Sequence, residues 1–518
     1  MVAPLDGLPF VCVGTGQVGR AAGQLLEALG AEVVHVATVH STGHAAQIAA
    51  LEPIGAIDGS AAPFGTSAPI GAPGVFHDPP FAVVRLAAVD AGAAWAASGA
   101  LALTGPADGA PFGFGVGSSV AVQLLAAGAV AQLLAACREV QLEIDPLALL
   151  GERAASAGFG RQGATSVGGN CHLVRAADGW VALNLARADD VALLPALLDA
   201  TVEPDAPWPN VLAAVAARTR AELDERAALL GFPLGVVPDH DDLRGTRRSP
   251  YVIGRAEGGS PSARLRPGYA NALAYPASRT PLVIDLSSLW AGPLAASLLG
   301  QAGARVIKVE SVRRPDGARR GPAAFCDLLN HGKECAAFDF DDAADRAVLH
   351  RMVERADIVI EGSRPRAMQQ IGIDAHVVAA EHGTTWISIT GHGRGATDET
   401  RVAFGDDAAA AAGLVVGDPP VFVGDAIADP ITGIYATCAA LAALVGRRGQ
   451  VIDVSLVRSA AYARGRDRVG REPAEVAPIG NHLVGAPHAR SRRGSASLAG
   501  ADTVRLRAEF GASSSLRP

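Results

Sequence analysis

Three stretches of this 518-residue chain carry residues whose types and spacing could do chemistry. The first, "VCVGTGQVGRAAGQLLEALGAEVVHV" (11–36), sets a Gly-x-Gly-x-x-Gly turn between an apolar run and a helical pattern. That arrangement can cradle a dinucleotide pyrophosphate. The second, "VGDAIADPITGIYA" (423–436), puts Asp429 just ahead of a long apolar helix pattern. A carboxylate there can cap the helix, with Pro430 at the first helical position. The third, "SVRRPDGARR" (311–320), gathers Arg313, Arg314, Arg319 and Arg320 into a local anion site suited to a phosphorylated small molecule. The nucleotide reading meets an objection. A nicotinamide site also wants an acidic residue at the end of the second strand to hold the ribose hydroxyls. After Val36 the chain reads "ATVHST", with no carboxylate. The glycines are better explained by a tight strand-to-helix turn.

The elements that must position these residues occur twice. "IDLSSLWAGPLAASLLGQAGARVIKV" (284–309) aligns with the first stretch without a gap. Gly19 falls on Gly292, Leu25 and Leu26 on Leu298 and Leu299, Gly30-Ala31 on Gly303-Ala304, Val33 on Val306 and Val36 on Val309. Gly14 and Gly16 fall on Ser287 and Leu289, so of the fingerprint only Gly19 is shared. A second match pairs "FGFGVGSSVAVQLLAAGAVAQLLA", from Phe112, with "FVGDAIADPITGIYATCAALAALV", from Phe422. Repetition on this scale implies two related βαβ units. The spacing between partners widens from 273 to 310 residues, so the first copy is shorter by 37. That length matches the strand–helix region around "ADIVIEGSRPRAMQQIG". Between the copies, "HLVRAADGWVALNLA" reads as two strands joined by an Asp178-Gly179 turn. "RTRAELDERAALLGFPLGVV" reads as a helix, then a strand. "RAEGGSPSARLRPG" reads as a linker. The polar, Arg/Ser-rich end is expected to wrap back on the surface or fray.

Composition narrows the function classes. The formal charge is −8 with no long basic run, which argues against nucleic acid. The cysteines at 12, 137, 171, 326, 335 and 438 form no Cys-x-x-Cys pair and have no zinc-ligand spacing, so no metal is expected. They suit free thiols in a reducing cytoplasm. "MVAPLDGLPF" has no secretion-signal pattern. "VAVQLLAAGAVAQLLAAC" (120–137) is apolar enough for a membrane span, but it is Ala-rich and holds Gln123 and Gln132. A buried domain helix is the better expectation, and no membrane partner is implied.

The second copy resembles the class III CoA-transferase family, which includes formyl-CoA transferase and the carnitine CoA-transferases. The matching motifs occur in family order: "VIDLSSLWAGPLAASLLGQAGARVIKVE", "NHGKECAAFDF", "ADIVIEGSRPRAMQQIGID", "WISITGHGRG" and "FVGDAIADPITGIYATCAALAALVGRRGQVIDVSL". The resemblance implies an α/β fold with a doubly wound, Rossmann-like large domain, repeated twice here with the first copy truncated, and an inserted smaller α+β domain. It divides the chain into a degenerate large-domain copy (1–145), a small domain (150–255), a linker (256–280), a catalytic large domain (281–465) and a C-terminal tail (466–518). In the family two chains interlock like rings and each active site uses both. A fused pseudo-dimer with one working site follows; whether fused chains pair further stays open.

The resemblance also implies a chemistry. Asp429 stands at the family's nucleophile, which attacks an acyl-CoA thioester and passes through an anhydride and an aspartyl-CoA thioester. Gly433 and the helix start beyond it would offer backbone donors to developing oxyanions. The first copy has Ser118-Ser119 at the matching place, so it would be silent. Lys308, Arg313, Arg314, Arg319, Arg320, Lys333 and Arg364 fall on CoA-contacting segments. Trp290 stands where the family often has a polar group near the thioester. "SVGGN" (166–170), with Gly168 and Gly169, would be the remnant of a glycine-rich loop closing over the nucleophile. Coenzyme A enters as a thioester substrate with a carboxylic acid as its partner; no permanently bound cofactor is implied. The same fold hosts α-methylacyl-CoA racemases, which pair an Asp with a His. Their His belongs in a Gly-His-Asp motif, where this chain has Phe404 and Gly405 in "AFGDDAAAAAGL". His392 in "TGHGRG" is the spatial substitute to weigh. A non-catalytic acyl-CoA-binding protein is the third class.

Overall fold

The computed structural model describes residues 3–6, 9–13, 16–36, 82–85, 89–112, 114–205, 207–239, 249–254, 279–363, 365–395, 398, 400–447, 449–465 and 483–511. Gly14, Arg364, nearly all of the expected linker, and the tail segments 466–482 and 512–518 lie outside the described residues.

The first unit is β1 (Pro9–Val13), α1 (Gln17–Ala28) and β2 (Glu32–Val36). Val18, Ala21, Ala22, Leu25 and Leu26 recur at helical spacing, and all five are buried. β3 (Ala82–Arg85) joins the other side of β1, giving a parallel sheet in the order β2-β1-β3. Then comes α2 (Phe114–Ala136), apolar nearly all round, followed by α3 (Glu152–Ala157).

A smaller unit follows. β4 (Cys171–Ala176) and β5 (Gly179–Asn184) form the hairpin that Asp178-Gly179 predicts, with Ala176 opposite Gly179. α4 (Ala188–Leu198), α5 (Trp208–Ala216) and α6 (Arg220–Leu230) come next, and β6 (Leu234–Val236) pairs antiparallel with β5. Thr219 and Glu222 cap α6 reciprocally, which fixes where that helix begins. Val181, Leu183, Leu194, Leu197, Val211 and Leu223 pack as this unit's own core.

The second half builds the large sheet. β7 (Val252–Gly254) is its antiparallel edge. β8 (Leu282–Leu286), α7 (Ala291–Gln301), β9 (Arg305–Ser311), α8 (Ala323–Asn330), β10 (Glu334–Phe338), α9 (Ala343–Arg355), β11 (Ile358–Glu361) and β12 (Thr385–Thr390) succeed one another. α10 (Gly405–Ala411), the short pair β13 (Val415–Val416) and β14 (Val421–Phe422), α11 (Ala428–Gly446), β15 (Val451–Ser455) and α12 (Leu456–Arg464) complete it. The order is β10-β9-β8-β11-β12-β15-β7, parallel apart from β7. This is a doubly wound sheet whose winding reverses between β8 and β11. Such sheets bind ligands in the crevice at the carboxyl ends of the strands on either side of that reversal.

The order β2-β1-β3 recurs locally as β9-β8-β11. β2 ends at 36 and β3 begins at 82; β9 ends at 311 and β11 begins at 358. These gaps are nearly equal. β3 stands where the repeat reading expects no strand, since that reading assigns the missing length to the region around "ADIVIEGSRPRAMQQIG".

One apolar core crosses both halves. Leu25, Leu26, Leu124 and Leu134 share it with Leu294, Leu298, Ile431 and Leu441. α2 and α11 are each long and apolar enough to span a membrane, yet most of both lies inside the fold. They pack on each other, and the Cys438 thiol donates to Ala127 O at 3.2 Å. The described part of the tail wraps back: Gly485 N–H donates to Ala96 O, Arg490 pairs with Glu152, and Ala496 N–H donates to Asp327. It ends in α13 (Thr503–Gly511), which buries Leu506 and Phe510 against Val348, Leu349 and Met352. Leu506→Ala should cost about 2–4 kcal/mol, read as a lowered urea midpoint with an unchanged slope.

Candidate functional site

Asp429 lies in the first turn of α11, whose N-cap is Ile427. It is therefore not the cap, and Pro430 is not the first helical residue. The helix starts earlier because Asp429 N–H already donates to Ala426 O at 2.9 Å. The carboxylate instead accepts the backbone N–H of Ala291, the first residue of α7. Negative charge is favoured there, because the first N–H groups of a helix lack partners within it. α7 begins at the carboxyl end of β8, so Asp429 meets the crevice where the winding of the sheet reverses.

The loop before α11 is strained and tightly held. Gly424 and Ala426 both have positive φ, +67° and +42°. For alanine that conformation costs roughly 1–3 kcal/mol and needs outside support. Asp406 Oδ1 accepts Ala426 N–H at 2.9 Å, and the Thr104 hydroxyl accepts Gly424 N–H at 2.9 Å. Gly405 faces the carboxylate itself. A Cβ there would stand 2.4 Å from Asp429 Oδ2 and 2.4 Å from Ala426 O.

Four aspartates converge. Asp406, Asp407 and Asp425 are buried, while Asp429 is half-buried and keeps some access to solvent. Asp425 accepts Arg153 Nε at 3.0 Å and also Nη2. Asp407 accepts Asn184 Nδ2 at 2.7 Å and the Phe404 N–H at 3.0 Å. Burial raises Asp406 to about 6 and Asp407 to about 8. Asp429 is raised to about 7, by burial first and then by Asp406 and Asp425, against the lowering effects of Arg153 and the Ala291 N–H. It therefore titrates near neutral pH, where both a nucleophile and a proton carrier operate. The cation and several donors come from outside the second half: Arg153 from α3, Ser166, whose hydroxyl bonds Asp406, and Asn184 from β5.

Residues 281–489 match the family described as CoA-transferase family III. This segment belongs to that family. Over 199 residues the chain is 31% identical to an acyl-CoA transferase of Fusarium pseudograminearum, covering 34% of this chain and 44% of that one. It is 29% identical to the acetyl-CoA:oxalate CoA-transferase of Acetobacter aceti (34% and 49%) and 32% identical to the succinate–glutarate CoA-transferase of Agrobacterium fabrum (35% and 52%). The chain thus spans about half the length of the curated relatives it matches. A solved structure of a CAIB/BAIF family protein from Brucella suis is 30% identical, covering 35% and 53%, with a TM-score of 0.34.

Of the residues that the CoA-transferase resemblance singles out, some meet at Asp429 and others do not. Trp290 caps α7, beside the Ala291 donor. It is buried edge-on against Phe325, with the Arg153 guanidinium 5.6 Å from its ring centre. Gly168 lies against Arg153: a Cβ there would sit 3.0 Å from Nη2. Gly169 turns with φ +81° in the same loop. Gly433 sits a full turn inside α11, so it is not a donor at the helix start. It is glycine because a Cβ would meet Ala291 O at 2.9 Å and Leu294 Cδ2 at 2.8 Å, and its absence lets α11 press on α7. His392 lies in the turn after β12, and the largest charges acting on Asp429 include no histidine.

The two lysines need a correction. Lys308 and Lys333 are fully buried, not open to a phosphate. Lys333 Nζ spends its donors on Asp285 Oδ2, Pro293 O and Asn330 Oδ1. Lys308 bonds Ser287 O at 2.9 Å and pairs with Asp316 at 2.8 Å. Asp285 also accepts Ser287 N–H, and Asp316 accepts Leu289 N–H. Together they brace residues 285–290, including Leu289 at φ +69°, and so fix where α7 begins. Burial would raise Asp285, but the two ammonium groups hold it down at about 2. Arg319 grips Glu310 and Ser497 O. Arg313 pairs with Asp339 and Asp341 on the surface, and Arg314 and Arg320 are exposed.

Sequence reasoning missed Arg153, Asp406, Asp425 and the Ala291 donor. The doubled acid in "FGDDA" and the second acid in "VGDAIAD" were available signals. Nothing local marks Arg153, which lies 272 residues from its partner.

Two outcomes follow. Lys333→Met leaves Asp285 short of a buried partner and should cost about 3–5 kcal/mol in denaturant unfolding. For Asp429, the folded value near 7 lies above the unfolded value near 4. Its ionisation therefore costs nothing below about pH 4, and the penalty grows until about pH 7. Asp429→Asn should be more stable than wild type by about 1–3 kcal/mol at pH 8 and nearly equal to it at pH 4.5, read from paired denaturation curves.

Proposed function

We propose that this chain transfers CoA from an acyl-CoA to a carboxylic acid, with Asp429 as the nucleophile. One observation carries the reading. A half-buried carboxylate, titrating near neutrality, rests on the Ala291 N–H at a helix start in the sheet's ligand crevice. In the first step a carboxylate oxygen of Asp429 attacks the thioester carbon, the C–S bond breaks, and CoA thiolate leaves a mixed anhydride. The thiolate then attacks the aspartyl carbon and releases the donor acid, forming an aspartyl-CoA thioester. The acceptor carboxylate displaces CoA from that thioester, and the thiolate takes the acceptor acyl group, restoring Asp429. Each exchange trades one activated acyl bond for another, which keeps the barriers small. Backbone donors at the first turn of α7 are the fitting stabilisers of the transient oxyanions. Gly405, where a racemase would need its imidazole, counts against proton transfer at the α-carbon.

The same reading takes 1–145 and 281–465 as two large-domain copies around a small domain at 150–255, a pseudo-dimer in one chain. The shared strand order supports it. So does Ser119, which falls on Asp429 in the repeat and donates its hydroxyl to Ala463 O at 3.1 Å. The first copy is then catalytically silent. Free, mostly buried cysteines are in keeping with a cytoplasmic enzyme.

The curated relatives' names, acetyl-CoA:oxalate and succinate–glutarate CoA-transferase, make short mono- and dicarboxylates the first acceptors to try. Incubation with acetyl-CoA or succinyl-CoA, then hydroxylamine and peptide mapping, should modify Asp429 alone. Asp429→Asn should lose the modification and at least about 10³-fold in CoA exchange. An unmodified Asp429 with deuterium entering a 2-methylacyl-CoA at its α-carbon would overturn the proposal in favour of racemisation. Binding of acyl-CoA with neither reaction would point to a non-catalytic binder.

A further inference from the structure

The N-terminal half, catalytically silent on the proposed reading, reaches into the site of the other half through α3. Arg153 is boxed there on three sides. Its Nε donates to Asp425 Oδ2 at 3.0 Å and its Nη2 to Oδ1, a two-pronged grip on a fully buried carboxylate. The Trp290 ring lies 5.6 Å from the guanidinium carbon. Gly168 closes another side, and any Cβ there would crowd Nη2 at 3.0 Å. The neighbouring Glu152 is itself fully buried and held by Arg490 of the returning tail, with Nη2 to Oε2 at 3.1 Å. That clamp fixes the helix from which Arg153 projects.

We propose that Arg153 is a positioning residue for Asp429, supplied by the N-terminal half: it anchors Asp425 and stands as counter-charge to the aspartates around the start of α11. The groups facing this cluster are Asp406 and Asp407 from α10, Asp425 from the preceding loop and Asp429 from α11. The Ser166 hydroxyl bonds Asp406, Asn184 of β5 bonds Asp407, and the Cys171 thiol of β4 lies in the field of both. Arg153 acts on both Asp406 and Asp429. Without it, ionised carboxylates would face one another across a poorly solvated loop, and Asp429 would be harder to ionise. The degenerate half then has a reason to persist, since it completes the electrostatics of a site it does not contain.

The test compares Arg153→Gln and Arg153→Lys with wild type in the full chain. Thermal unfolding is measured at pH 5.5, below the values of Asp406 and Asp429, and at pH 8.0, above both. A counter-charge predicts a fall in midpoint for Arg153→Gln roughly twice as large at pH 8.0 as at 5.5, with most of it recovered by lysine. A fall of the same size at both pH values means that the guanidinium only fills space, and the proposal is overturned. Placing Arg153→Gln in an Asp425→Asn background separates the two parts of the role. A remaining pH-dependent loss supports action on Asp406 and Asp429, whereas none overturns it. If the glutamine variant does not fold, Arg153→Met, which also removes the charge, carries both comparisons.

A second arm rests on the transferase reading. With acetyl-CoA and oxalate as probes, Arg153→Gln should lower kcat about 100-fold, leave the KM for acetyl-CoA within about twofold, and move the rising limb of the pH–rate profile to higher pH. A pH profile that stays put counts against the proposal. If wild type exchanges no CoA, the transferase reading fails by itself and the unfolding arm still decides the role of Arg153.

Discussion

A carboxylate taken out of water loses several kcal/mol of hydration and must recover it from fixed donors or give up its charge. This chain gathers Asp406, Asp407, Asp425 and Asp429 around one helix start, and much of its architecture serves to make that tolerable. Asp429 leans on a backbone N–H of α7, Asp407 on Asn184 and the Phe404 N–H, and Asp425 on Arg153. Half of those supports belong to the segment before residue 240. The N-terminal half is thus tied to the second by the need to compensate buried charge as well as by the shared apolar core.

A second buried ionic cluster braces the connection that leads into α7. Lys308 and Lys333 look like ligands for phosphate in the sequence, but their ammonium groups are consumed by Asp285, Asp316, Asn330 and backbone carbonyls. The bonds to Ser287 and Leu289 hold the connection between β8 and α7 in a conformation that leucine alone would avoid. Because Asp429 is seated on the first N–H of α7, a loop that moved there would move the donor away from the carboxylate. The lysines therefore bear on where that donor stands.

Close approach is the third condition. Gly433 lets α11 press against the first turn of α7, and Gly405 leaves room for the Asp429 carboxylate. Both glycines stand where a single methyl group would collide with an atom of the site. The positive φ of Ala426 stores strain between them, sustained by Asp406 on one side and by the first turn of α11 on the other. Rigid placement of one carboxylate is what this combination achieves, at some expense in stability.

The sequence by itself determined the elements that depend on local pattern: the two βαβ units, the Asp178-Gly179 hairpin, the apolar helices, and Asp429 as the residue to watch within a family motif. Apolar periodicity, turn chemistry and a gapless repeat are legible because each is written over a few neighbouring residues. What only the tertiary structure decided is which charges meet. Arg153 and Asp425 lie 272 positions apart, and no spacing rule joins them. Lys308 and Lys333 carry the right charge on the right segments, but burial turned them inward, and the start of α11 shifted two residues because Ala426 accepted the first turn's hydrogen bond. Electrostatic compensation depends on distance and solvent access, which the order of residues along a chain does not specify.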